Sequence, residues 1–209
     1  MSDNNSIFDE IWIKGVIDDE VAFKFREQMI KKVREIPYPN HPLVVYVNSP
    51  GGCADAMASI IETMDEIQNP IYTVCAGKAM SAAAIILSHG DVRFCGQHSR
   101  IMIHEVSAGT IGNVQDMKND TKEIDRLNKH FMTLLARNCN LKGGYKALYK
   151  ILQDNGGREF YLDAEAARKF GIVDEIGTPN VEAAFVFVTT THRVVFPKEV
   201  KVKESRTKE

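Results

Sequence analysis

The sequence predicts an α/β protein organised on a largely parallel sheet. Three observations predict it. Segments with strand-like and helix-like periodicity alternate from Ile11 to His104, an order that calls for right-handed crossovers between parallel strands. The run Leu43-Val44-Val45-Tyr46-Val47 is apolar without a break, as expected of a strand covered on both faces. Gly52, Ser81 and His104 each fall at a predicted strand end, the edge at which open α/β sheets place their sites.

Taken in order, Ile11-Trp12-Ile13-Lys14-Gly15 reads as a short strand ending at a glycine. Residues 18–36 then carry Val21, Phe25, Met29 and Val33 at helical spacing, and Pro37, Pro39 and Pro42 stop the helix. After the Leu43 strand, Asn48-Ser49-Pro50-Gly51-Gly52 reads as a tight turn, and residues 54–67 as the next helix. Residues 71–75 are β-prone, Gly77 marks a turn, and the Ala/Ile/Leu run at 81–87 reads as a buried helix. Short strands are expected at 92–95 and 100–104. The charged stretch 113–138 is a long helix whose narrow apolar stripe, Met117, Ile124, Leu127, Phe131 and Leu134, predicts packing against another subunit. Further helices are expected at 141–153 and 163–170, on either side of a Gly156-Gly157 break and an extended piece at 159–162. From Gly177 the pattern changes to β-prone segments at 184–191 and 194–196. The last 17 residues hold six Lys/Arg against three Asp/Glu and read as a solvated tail.

Composition narrows the function classes. The chain has 209 residues, 44% hydrophobic and 26% charged, enough for one sizeable core and short for two. A formal net charge of -2 supplies no basic field for nucleic acid or an anionic membrane surface. No apolar run reaches membrane-spanning length and the first residues lack a basic n-region, so a cytoplasmic chain without a membrane partner is expected. Cys53, Cys75, Cys95 and Cys139 show no metal-ligand spacing, so no zinc or other metal is expected and the thiols read as reduced and mostly buried.

Ser81 is the residue around which chemistry can be built. At a strand-to-helix joint its hydroxyl stands above the sheet edge, beside first-turn amides able to face an oxyanion. A capping serine is the bland alternative. His104, ending an apolar strand, offers a base, although a lone histidine there is more often structural. Two glycines after a strand at Gly51-Gly52 let a bare backbone approach a ligand. A phosphate-binding loop is excluded, because no G-x-x-x-x-G-K-S/T is present.

The run Val45-Tyr46-Val47-Asn48-Ser49-Pro50-Gly51-Gly52, then Cys75-Ala76-Gly77-Lys78-Ala79-Met80-Ser81, then Arg100-Ile101-Met102-Ile103-His104 resembles the proteolytic subunit of the Clp protease (ClpP). The resemblance extends over about residues 11–176 and includes the spacing between the motifs. It implies a ClpP/crotonase-like fold, repeated β-β-α units with a largely parallel sheet and a protruding handle helix at about 113–138. It divides the chain into a peptidase domain, 1–176, and a C-terminal extension, 177–209. By resemblance Ser81 is the nucleophile, His104 the general base, and Gly52 and Ala82 the oxyanion-hole amides. The Gly109 to Gly112 strand would align substrate by β-addition. The third triad member departs from the family: registering Asp163-Ala164-Glu165-Ala166 and Gly171-Ile172-Val173-Asp174 puts Glu159 where the family has aspartate, with Asp163 and Asp154 as fallbacks.

The function so implied is a serine endopeptidase hydrolysing polypeptide substrate inside a homo-oligomer, a heptameric ring or stacked double ring, without metal or organic cofactor. An AAA+ unfoldase is the implied partner, and only about ten residues precede Ile11 where the family carries a longer gating segment. Rival readings are an ATPase-independent maturation protease of viral type, a Ser-Lys enzyme using Lys78, a catalytically inactive ring subunit, and a crotonase-like acyl-thioester binder.

Overall fold

The computed structural model describes residues 10–36 and 40–179. The β-prone and charged segments expected beyond 179 lie outside the described residues. Strand β1 (Ile11–Ile17) leads into helix α1 (Asp19–Glu35), which Asp18 opens by accepting the Val21 N–H at 2.9 Å. The chain continues as β2 (Leu43–Gly52), α2 (Ala54–Glu66), β3 (Ile71–Met80), α3 (Ala82–Ser88), β4 (Val92–Cys95) and β5 (Arg100–Ile103). Helix α4 (Val114–Asn138), α5 (Gly144–Asp154), β6 (Phe160–Leu162), α6 (Ala164–Phe170) and β7 (Glu175–Ile176) complete it.

The main sheet runs β1-β2-β3-β4-β7 and every pairing in it is parallel, so the predicted α/β class and largely parallel sheet hold. Its inner face is built from alternate residues: Ile11 and Ile13, Leu43, Val45 and Val47, Ile71 and Cys75, all 3% exposed or less. Against them pack Phe25 and Met29 of α1, Met57, Ile60 and Met64 of α2, and the whole of α3. The opposite face does not fit the both-faces-covered expectation for the Leu43 strand. Trp12, Val44, Tyr46, Tyr72, Val92 and Phe94 are only half-buried within the chain. Trp12 stacks on Tyr46 with ring centroids 4.8 Å apart, Lys14 Nζ lies 3.9 Å over the indole, and the indole N–H donates to Glu10 at 2.7 Å.

Two predicted turns are strand. Residues 48–52 continue β2, because register shifts on both sides absorb what the turn signal reports. Between Lys14 and Val16 the pairing with β1 slips, and between Val47 and Ser49 the pairing with β3 slips. Pro50, lacking an N–H, sits in that irregular stretch rather than in a regular ladder position. Gly77 does not end its strand either: with φ 103° it bends β3 in mid-course. Before the bend, residues 72–75 pair with β4; after it, Lys78, Ala79 and Met80 pair with Arg100, Ile101 and Met102 of β5. Ser99, 5% exposed, ties the bend together. Its Oγ accepts from Gly77 N–H at 2.8 Å and donates to Cys75 C=O at 3.0 Å. Strand β6 then lies antiparallel on β5.

Helix α4 matches the predicted 113–138 span, with Asn113 its cap and Asp116 closing a capping box. Its first half is exposed and only its second half is buried, through Phe131, Met132, Leu135 and Ala136, so it protrudes as a handle. The helix expected from Leu141 begins only at Gly144, and the two-residue β7 was not predicted. All four cysteines are free, three of them buried and Cys53 exposed.

Arg93 fastens the far end of the sheet. Nearly fully buried, it forks onto both carboxylate oxygens of Asp174, at 2.8 and 2.5 Å, and donates to the Asn138 carbonyl at 2.8 Å. One guanidinium thereby joins β4, the end of α4 and the approach to β7. Arg93→Ala is expected to lower stability by about 3 kcal/mol, the low end for a broken buried pair because Asp174 keeps solvent access. Urea unfolding at fixed protein concentration checks it.

Candidate active site

Ser81 occupies the joint between β3 and α3 with φ 55° and ψ -124°. It is one of two non-glycine residues with positive φ among those described, and such a conformation costs an L-residue about 1–3 kcal/mol. The hydroxyl makes no capping bond to its helix, so the capping explanation for this serine does not hold. What holds the turn is backbone. Ser81 N–H donates to Met102 C=O at 2.8 Å, and Ser81 C=O accepts from Ala84 at 2.9 Å. A serine on a sharp, strained strand-to-helix turn with its hydroxyl uncommitted is the arrangement that serves nucleophiles in α/β hydrolases.

The bond to Met102 places the site's second element. His104 lies two residues beyond Met102, one past the last residue of β5; the predicted strand through 104 stops at Ile103. Ser81 and His104 therefore stand at adjoining C-terminal strand ends, with no hydrogen bond between their side chains among the described residues. The third element lies just past the antiparallel β5–β6 ladder. Met102 pairs with Tyr161 and Ile103 with Phe160, where the ladder ends; His104 and Glu159 are the residues next beyond that last pair, and no hydrogen bond joins them among the described residues. Glu159 is exposed, and its Oε2 accepts from the Tyr161 hydroxyl at 2.8 Å, which raises the Tyr161 pKa.

The fallback acids are otherwise placed. Asp163 caps α6, accepting the Ala166 N–H at 2.8 Å, and Asp154 closes α5 on the far side of the Gly156-Gly157 break. Lys78 lies within β3 opposite Arg100, about 10 Å along the strand from Ser81 at 3.3 Å per residue, and no hydrogen bond joins it to Ser81 among the described residues.

Gly52 ends β2 opposite Ile17. Its neighbour Gly51, which the sequence reading paired with Gly52 as bare backbone but gave no role of its own, is the glycine against the serine. A Cβ on Gly51 would stand 2.6 Å from Met80 O, 2.8 Å from Ser81 Cβ and 3.2 Å from Ala82 N. Gly51 N–H is already spent on the buried Ser49 Oγ at 3.0 Å, so the next amide along, that of Gly52, is the one left to consider as a donor. Ala82 is the first residue of α3 and its amide has no intrahelical acceptor.

Residues 104–113 carry no strand, so Gly109 and Gly112 do not form the expected substrate-aligning strand. Among the described residues no strand pairs with them, and Ile111 between them is almost fully exposed. Among the described residues no three His, Cys, Asp or Glu side chains cluster as a metal site, and no helix is long and apolar enough to cross a membrane.

The parallel sheet with its candidate residues gathered at strand C-termini puts the chain among α/β proteins whose sites open at that edge. The family can be stated as well. The Clp protease family model matches residues 5–180, most of the chain, and the protein belongs to that family. At family level this makes it a ClpP-like peptidase.

Proposed function

We propose that the chain is a serine endopeptidase of the ClpP type acting through Ser81, His104 and Glu159. The observation that carries this reading is the strained, uncapped Ser81 hydrogen-bonded through its backbone to the strand that ends in His104. Ser81 Oγ attacks the scissile carbonyl carbon while His104 takes its proton. The oxyanion is met by the amides of Gly52 and Ala82. Collapse breaks the C–N bond, His104 returns the proton to the leaving amine, and an acyl-serine remains. Water, deprotonated by His104, then releases the acid. Glu159 fixes the imidazole tautomer, a role either carboxylate can fill.

The site is assigned to an enclosed homo-oligomer, a heptameric ring or stacked pair of rings, with the half-exposed α4 as the contact between copies and an AAA+ unfoldase as the feeder of polypeptide. Exposed Ile111 just before α4, with Val114 and Met117 in its first turn, supports an intersubunit role for it. The test is labelling of the full chain with a fluorophosphonate followed by peptide mapping. Modification at Ser81 is expected. Modification elsewhere, or none, together with acyl-thioester binding would replace the reading with the crotonase-like alternative.

A further inference from the structure

We infer that Asn128 is a positioning residue for His104, a proposal that rests on the peptidase reading above. The β5 ladder stops at Ile103, and beyond it His104 heads a segment with no strand partner. Beyond that ladder, the hydrogen bonds recorded for residues 104–109 both go to one side chain on α4. Asn128 Oδ1 accepts the Val106 N–H at 3.0 Å, and its Nδ2 donates to Glu105 Oε1 at 2.8 Å. The amide orientation is fixed by its partners, since a backbone donor requires the oxygen and a carboxylate requires the NH2.

The placement on α4 is specific. Asn128 is 8% exposed and stands where the helix passes from its exposed half to its buried one. Asparagine is a poor helix former, and burying its amide is costly unless both ends are satisfied. Here both are, by the two residues that follow His104.

Two effects on the site follow. The backbone after His104 is pinned to a helix, so the imidazole is held from both sides, by β5 before it and by α4 after it. The Glu105 carboxylate is also drawn toward α4. Under the peptidase reading that leaves Glu159 as the acid for His104. Without Asn128 the exit of the strand is free to shift. A displacement of about 1 Å at a catalytic group can cost about a hundredfold in rate.

The test uses the full chain, a short fluorogenic peptide and the fluorophosphonate label. Asn128→Ala is expected to lower kcat about a hundredfold with KM changed less than about threefold, and to slow labelling of Ser81 in parallel. Asn128→Asp keeps the acceptor for Val106 but sets a charge against Glu105, and the same loss is expected. Asn128→Asp combined with Glu105→Gln restores a donor–acceptor pair, now reversed, and is expected to recover kcat to within about tenfold of wild type.

A residue that only stabilised the fold would lower the unfolding midpoint and leave the kcat of the folded fraction unchanged, which overturns the proposal. So does a paired variant that folds yet stays as slow as Asn128→Asp while Glu105→Gln alone is active. A wild-type chain that takes no label at Ser81 removes the peptidase reading itself, and the proposal with it.

Discussion

Ser81→Ala should abolish peptide hydrolysis, lowering kcat by a factor on the order of 10^5 to 10^6, the size seen when a triad nucleophile is removed. The fluorophosphonate label should disappear with it. Little else should change. The Ser81 hydroxyl neither caps its helix nor makes a recorded hydrogen bond, so the substitution removes no recorded stabilising contact. The strained backbone is held by the Met102 carbonyl and by the first bonds of α3, and alanine keeps both. Circular dichroism and native mass should therefore match the wild type. Hydrolysis that survives within about tenfold would place the nucleophile elsewhere.

Gly51→Ala should be the next most damaging change, although residue 51 is not a candidate for any chemical step. With φ 95° an alanine is strained there whatever the space, at about 1–2 kcal/mol. The space is also absent: the new methyl would meet Met80 O at 2.6 Å and Ser81 Cβ at 2.8 Å. Neither neighbour is the end of a flexible side chain, so the β3–α3 joint must move, carrying Ser81 and the Ala82 amide with it. Losing an oxyanion donor costs about 10^2 to 10^3, and displacing the nucleophile adds to that, so kcat is expected to fall by about 10^3 or more. Gly15→Ala separates the two causes. Gly15 also has positive φ, 74°, but a Cβ there meets nothing within 4 Å. It should lower the unfolding midpoint and leave kcat near wild type.

Much of this architecture was legible in the sequence. Helices with a clear apolar period and a capping residue, such as α1 behind Asp18 and α6 behind Asp163, fell within a residue of their predicted limits, and β4 matched to the residue. The misreadings share a cause. Proline and glycine announce irregular backbone, but they do not say whether the chain turns back or passes through a bulge. At Asn48-Ser49-Pro50-Gly51-Gly52 and at Gly77 it passes through, because β1, β3 and β5 are there to take up the shifted register. No local pattern carries that information, since it depends on strands far along the chain.

The candidate site was legible at Ser81 and His104, where residue type and position coincide with strand ends. Its supports were not. Gly51 was read only as bare backbone beside Gly52, not as the glycine packed against Ser81. Ser99 and Asn128 act only through contacts 22 residues or more away. Glu159 was placed only by registering the family's motif, and the β5–β6 ladder stops at Ile103 and Phe160, one residue short of His104 and of Glu159.

The protein contains a single tryptophan, and the fold sets it on edge strand β1, on the half-covered side of the sheet, against Tyr46. Its emission is thus a spectroscopic readout of one place. Whatever comes to rest over the β1–β2 edge of that face, whether a neighbouring copy or a docking loop, alters the surroundings of the only indole in the molecule. The chain carries its own optical sensor for that edge of the surface it leaves open, with no dye to attach.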